Sequence, residues 1–65
     1  MNKGQVKGLI NKGNYSTIKE LRLEFGNVGI DSNGNVQLII EDWRLTLGKI
    51  EGIYKVASIS KKNSL

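Results

Sequence analysis

The side chains that could engage a ligand are mostly lysines, and they are concentrated at the two ends of the chain. Residues 1–19 contain four lysines and no acid, a formal charge of +4, and residues 52–65 contain three lysines and no acid, a charge of +3. Residues 20–51 contain three cations and six acids, a charge of −3. Because ammonium groups attract phosphates, the two ends would form one phosphate-binding surface if folding brings them together.

The predicted ligand site combines these lysines with two tyrosines, whose rings would stack on bases. Its members are Lys3, Lys7, Lys12, Tyr15, Tyr54, Lys55 and Lys61. A competing interpretation is that the lysines only aid solubility and keep sheet edges from pairing with other chains. The two arginines, which suit forked recognition of phosphate better, lie in the acidic middle of the chain.

The residue types that usually carry out catalysis are scarce. The chain has no histidine and no cysteine, which removes the commonest general base, the thiol nucleophile and the usual zinc ligands. Glu41 and Asp42 are adjacent, but neighbouring side chains in a regular strand point to opposite faces. We therefore expect neither an enzyme nor a bound cofactor.

The segment from Asp31 to Asp42 has part of the oxygen spacing of a calcium-binding loop. Asp31, Asn33 and Asn35 match its first three ligands, but Val36 stands where that loop requires glycine. Turn formation explains the same residues without an ion. We therefore expect no metal site.

Length and composition indicate a single domain over residues 1–65, with residues 60–65 as a flexible C-terminal tail. A 38% hydrophobic content is low for so short a chain, which favours a homo-oligomer. No apolar run approaches the roughly 20 residues of a membrane span, and no signal peptide is apparent. The expected location is the cytoplasm, where a cysteine-free chain fits the reducing conditions.

The first half of the chain contains the clearest turn and the most ambiguous element. Asn33-Gly34 lies between apolar-alternating segments and predicts a hairpin with a type I′ turn, in which both residues have positive φ. Residues 21–25 alternate apolar and charged residues, which favours a strand. Thr17 and Glu20 have the spacing of a capping box, so a short helix near residues 16–24 is the alternative.

Turn residues delimit the remaining predicted strands. A first strand is predicted over Gln5–Ile10 and a last over Ile53–Ile59, the latter entered through a loop at residues 48–52. Apolar residues alternate over 36–40 and resume one residue out of phase after Glu41-Asp42. One extra residue restores the same face, so a β-bulge or corner is predicted there.

These elements predict an all-β fold of four to five strands, a small antiparallel barrel or curled sheet of SH3-like or OB-like size. With a helix near residues 16–24, the class becomes α+β. If the sheet closes, its first and last strands are neighbours and the basic ends merge into one face.

Two functions from different classes follow. The first is a non-catalytic module that binds nucleic acid, a nucleotide or another phosphate-bearing ligand through the basic ends. The alternative is a protein-interaction domain, such as an inhibitor or accessory factor of the phage or plasmid type, acting by homo-oligomerisation or by adding a strand to a partner. Trp43 is predicted to fill the core, with an interface anchor as its alternative role.

Overall fold

A computed structural model of the chain describes residues 1–62. Its elements are α1 (Lys3–Asn11), α2 (Ile18–Phe25), β1 (Val28–Ile30), β2 (Val36–Ile40), β3 (Trp43–Ile50) and β4 (Ile53–Lys61). The strands form one antiparallel sheet in the order β1-β2-β3-β4. The prediction of an antiparallel sheet of four to five strands is therefore confirmed with four. The sheet is not closed into a barrel, and two short helices make the fold mixed and not all-β.

The predicted strand at Gln5–Ile10 is wrong, because this segment is the helix α1. Val6 and Ile10 lie four residues apart on one side of the helix, and both are fully buried. Asn2 caps the helix: its side chain accepts from the Gln5 amide at 2.9 Å, and the Gln5 side chain accepts from the Asn2 amide at 2.8 Å. This reciprocal cap stabilises a helix start that alternation of apolar residues does not reveal.

The strand favoured for residues 21–25 is also wrong, and the alternative of a helix is confirmed. Thr17 and Glu20 form the capping box that their spacing predicts. Leu21 is fully buried, whereas Leu23 is 78% exposed. The strand prediction counted Leu23 as an inward residue, but it lies on the solvent side of α2. Gly26, with φ of 84°, ends the helix.

The hairpin at Asn33-Gly34 is confirmed, although its turn is not type I′. Of the residue pair Asn33-Gly34, only Gly34 has a positive φ, at 84°. The Gly34 amide donates to the Asp31 carbonyl at 3.0 Å, and the Asp31 amide donates to the Asn35 carbonyl at 2.9 Å. This is the hairpin class with a three-residue loop and a left-handed glycine at its end.

The phase slip at Glu41-Asp42 is a second hairpin turn and not a bulge within one strand. Ile40 pairs directly with Trp43, so the two acids form the whole loop, and Glu41 has φ of 55°. The sheet does contain a register shift of the bulge type, but it lies in the pairing of β3 with β4, between Thr46 and Leu47. The predicted loop at 48–52 is also shorter than expected, since residues 48–50 belong to β3.

The core lies between the two helices and one face of the sheet. Its buried side chains are Val6, Ile10, Leu21, Val36, Leu38, Leu45, Leu47 and Tyr54. Trp43 packs against this cluster, as its predicted core role requires, and its indole N–H donates to the Met1 carbonyl at 3.0 Å. The opposite sheet face carries half-buried and exposed side chains.

The first residues of the predicted flexible tail at residues 60–65 belong to the sheet instead. Ser60 and Lys61 belong to β4, and the Lys62 amide donates to the Asp42 carbonyl at the start of β3. Residues 63–65 lie outside the described part of the chain.

Candidate basic site around the last strand

The two basic ends of the chain meet in the structure, although through a helix and a strand instead of two strands. The C-terminal end of α1 is fixed to β4 by Asn11, whose side-chain carbonyl accepts from the Val56 amide at 3.0 Å. The Lys55 ammonium donates to the Asn11 backbone carbonyl at 2.8 Å. The next outward amide along the edge, that of Tyr54, donates to the Tyr15 carbonyl at 2.7 Å.

Beyond these contacts, α1 and β4 enclose an open groove of about 510 Å³, which we call the basic groove. It is lined by Lys3, Gly4 and Lys7 of α1 and by Val56, Ala57, Ser58 and Ile59 of β4. Lys3 and Lys7 lie four residues apart, so both ammonium groups project from the same side of the helix. The ion pairs within residues 1–62 are Met1 with Glu41 and Lys61 with Asp42, which leaves Lys3 and Lys7 unpaired.

The outer edge of β4 adds backbone donors next to this groove. Hydrogen bonds alternate in direction along an antiparallel strand, and the Lys62 amide points inward to Asp42. The amides of Ile59 and Lys61 therefore point away from β3. Within residues 1–62 neither amide has a partner. The lining of the groove thus includes Lys3, Lys7 and Ile59, whose amide is one of these outward donors.

The other predicted lysines are less available. Lys61 lies 3.5 Å from Asp42 and 4.6 Å above the centre of the Trp43 ring. The Lys55 ammonium is already bonded to Asn11. Lys12 lines a different depression on the outer side of α1 with Gly8 and Leu9. Of the five lysines predicted to form the site, the structure brings Lys3 and Lys7 together in the groove.

The two tyrosines do not fit the stacking role predicted for them. Tyr54 belongs to the core, with 8% of its surface exposed, and the Lys49 ammonium lies 5.0 Å from its ring centre. Tyr15 packs edge-on against Phe25 with ring centres 5.5 Å apart. Burial and the nearby Glu24 raise the pKa of Tyr15. Any ligand in the groove would therefore be held by charge and hydrogen bonds.

The acids of the chain are largely occupied by internal contacts. Hydrogen bonds from Ser16 and Thr17 lower the pKa of Glu20, and hydrogen bonds from Asn35 and Asn33 lower the pKa of Asp31. The oxygens of Asp31 thus close the hairpin loop, as the turn interpretation predicts. Within the described residues no group of three or more acids could hold a metal ion.

A set of polar residues on the open sheet face was not predicted as part of a site. The register places Ile39, Arg44 and Ser60 in one row across three strands, and Gln37, Thr46 and Ser58 in the next. Arg44 belongs to the acidic middle of the sequence, yet neither row contains an acid. The sequence signal for this arrangement is Glu41-Asp42. If these two residues are predicted to form a two-residue hairpin loop, Ile39 is paired with Arg44 and the row follows.

None of the helices formed within residues 1–62 is both long and apolar enough to cross a membrane. No protein-family model, curated protein or solved structure matches this chain. The basic groove and its surroundings are therefore the features of the molecule that bear on its function.

Proposed function

We propose that the protein is a non-catalytic binding module that holds nucleic acid or another phosphate-bearing ligand on the basic surface around β4. The observation that carries this proposal is the basic groove, where Lys3 and Lys7 flank a strand edge with free amides. Ammonium groups and backbone N–H groups are among the donors that contact phosphate oxygens in protein–nucleic acid complexes.

The charge distribution favours an anionic ligand at this location. The net charge is +4, and two of the six acids, Glu41 and Asp42, already contact positive groups. Exposed charges act over a Debye length of about 8–10 Å at physiological salt, so neighbouring lysines reinforce each other at the groove. The surface would therefore attract a polyanion before any specific contact forms.

None of the described residues that line the groove has an aromatic side chain. We therefore expect recognition of phosphates and not of bases. Base stacking supplies a large part of the affinity of many single-strand binders. With Tyr54 in the core, binding rests on phosphate contacts. Such contacts carry little sequence information and weaken steeply as salt rises.

A titration of fluorescently labelled single-stranded DNA, RNA and duplex DNA, first at low salt and then with rising salt, tests the proposal. The double variant Lys3→Gln/Lys7→Gln should weaken binding and reduce the slope of log K against log salt, by roughly 0.7–0.9 for each phosphate that is no longer neutralised. Lys19→Gln/Lys49→Gln is the matched control, since it removes two exposed lysines outside the groove. Failure of all three nucleic acids and of inorganic polyphosphate to bind at low salt would exclude the proposed function.

The free edge of β4 also supports a second candidate, a protein-interaction domain that accepts an added strand. The outward amides of Ile59 and Lys61 are suited to pair with an extended segment of a partner or of a second copy. Two adjacent lysines at the end of β4 would oppose pairing between identical edges.

Light scattering over a range of concentrations separates self-association from the first function. Strand pairing predicts that the wild type is a dimer and that Ile59→Pro is a folded monomer. Proline removes one of the outward backbone donors on which the pairing depends. A strictly monomeric chain at all concentrations would exclude pairing between copies.

A further inference from the structure

The open face of the sheet contains a cleft of about 740 Å³ that is separate from the basic groove. Its lining residues are Phe25, Asn27, Gly29, Gln37, Leu38, Ile39, Arg44 and Lys62. Two of these are cations, two are amides, and none is an acid. Among them Arg44 and Lys62 take part in neither of the ion pairs formed within residues 1–62.

The backbones of both cations are held in place by the sheet. Arg44 lies in the central strand β3, paired with Ile39 on one side and with Ser60 on the other. Lys62 follows β4 and is fixed by the hydrogen bond from its amide to Asp42. Their side chains are exposed, so two cationic groups extend from fixed backbone positions toward the same cleft.

The two amide side chains that line the cleft differ in their availability. The Gln37 side-chain N–H groups are used within the sheet, at 3.2 Å from the Thr46 hydroxyl and 3.5 Å from the Asp31 carboxylate. Gln37 therefore offers a ligand no free N–H group, whereas the exposed side chain of Asn27 supplies an amide at the rim of the cleft.

We propose that this cleft binds a phosphate group, with the Arg44 guanidinium as a two-pronged donor and Lys62 as the second cation. A guanidinium matches the spacing of two phosphate oxygens, which a single ammonium does not. The exposed side chain of Ile39 and the uncovered backbone at Gly29 provide a surface for the part of the ligand attached to the phosphate.

This inference rests on the proposed function for its ligand class, but it uses different residues. The basic groove and the cleft lie beside the same C-terminal half of β4, since Ile59 lines the groove and Ser60 is the register partner of Arg44. A nucleic acid could contact both, whereas a free phosphate would report on the cleft alone.

Isothermal titration or NMR titration with inorganic phosphate and adenosine monophosphate provides the direct test. Arg44→Gln should weaken binding by at least about tenfold, the equivalent of 1.4 kcal/mol, and Arg44→Lys should recover only part of the loss because it lacks the fork. Arg22→Gln, which replaces an exposed arginine of α2, is the matched control and should have no effect. The melting temperatures of all three variants should equal that of the wild type.

The source of the phosphate is resolved with one oligonucleotide prepared with a 5′-phosphate and with a 5′-hydroxyl. If the cleft takes a terminal phosphate, the phosphorylated form binds more tightly to the wild type, and Arg44→Gln abolishes the difference. If the cleft takes a phosphodiester, Arg44→Gln weakens both forms equally. An Arg44→Gln protein that binds phosphate and both oligonucleotides as well as the Arg22→Gln control would overturn the proposal.

The variants of the basic groove show whether a negative result excludes only the cleft or also the proposed function. Lys3→Gln/Lys7→Gln should leave the binding of inorganic phosphate unchanged while weakening that of the oligonucleotides. If the groove variant loses affinity and Arg44→Gln does not, the cleft is excluded and the proposed function stands. If no oligonucleotide binds the wild type but inorganic phosphate binds in an Arg44-dependent way, the cleft stands and the basic groove is excluded as a nucleic-acid site.

Discussion

At the scale of single residues, Gly34 determines the first hairpin. Its φ of 84° lies in the left-handed region, and the space around its α-carbon is open, so the backbone conformation and not crowding disfavours other residues. The residue pair Asn33-Gly34 made this hairpin predictable from sequence. The exact turn was not predictable, because the same pair is accepted by two-residue and three-residue loops.

Gly34→Ala should therefore lower the free energy of unfolding by about 1–2 kcal/mol, the cost of the left-handed conformation for an L-residue. Gly34→Asn should lose less, since asparagine tolerates this region. The comparison variant is Gly8→Ala, in a helix with open space, which should gain up to about 1 kcal/mol. Urea unfolding measures all three, and equal stability of Gly34→Ala and wild type would refute the assigned conformation.

At the scale of elements, the helices show where the sequence is ambiguous. Thr17 and Glu20 indicate the capping box of α2, but the alternation of Leu21, Leu23 and Phe25 favours a strand. Which residues are buried determines whether the segment folds as a helix or as a strand. Burial depends on tertiary packing, about which the local sequence pattern contains no information. The α1 cap formed by Asn2 and Gln5 has the same spacing, and Val6, Leu9 and Ile10 that follow it have the i, i+3, i+4 spacing of a helix face, so this helix was predictable from the sequence.

The α2 cap predicts a dependence of stability on acid. Hydrogen bonds from Ser16 and Thr17 hold the pKa of Glu20 below its ordinary value of 4.5. A group with a lowered folded-state pKa stabilises the fold above the unfolded-state pKa and loses that effect as pH falls through the folded-state value. The contribution of Glu20 should therefore be complete above about pH 5 and decline as pH falls below its ordinary value, with Asp31 contributing in the same direction.

Glu20→Gln keeps the capping geometry, as Gln5 does in α1, but removes the titrating group. Its melting temperature should fall less steeply between about pH 5 and pH 3 than that of the wild type. Glu51→Gln, in an exposed loop, is the matched control and should follow the wild-type curve. Identical acid limbs for Glu20→Gln and wild type would show that the cap does not titrate as inferred.

At the scale of the whole molecule, the packing of α1 against β4 brings the basic ends together. The uneven charge pointed to a shared basic surface, but through closure of a barrel that does not form. The position of the helix depends on a contact between Asn11 and Val56, which are 45 residues apart in sequence. Local patterns contain no signal for such a pairing, so Arg44 and the free edge of β4 could only be located in the structure.

Asn11→Ala tests this connection, because it leaves the Val56 amide without its acceptor. The loss should be about 1–3 kcal/mol of unfolding free energy, the cost of an unpaired, partly buried donor. Asn11→Asp keeps a carbonyl-type acceptor and should retain most of the stability. If Asn11→Ala unfolds at the wild-type urea concentration, α1 is held to β4 by other means.

The central claim, that phosphate-bearing ligands bind around the last strand, is tested most directly by an NMR titration of the ¹⁵N-labelled protein with a short single-stranded oligonucleotide at low salt. The account predicts that amide signals of residues 3–7 and 57–62 shift together, with those of Ile59 and Lys61 among the largest changes, and that added salt reverses the shifts. Saturable shifts confined to α2 and the hairpin loop at residues 31–35, with the signals around β4 unchanged, would contradict it.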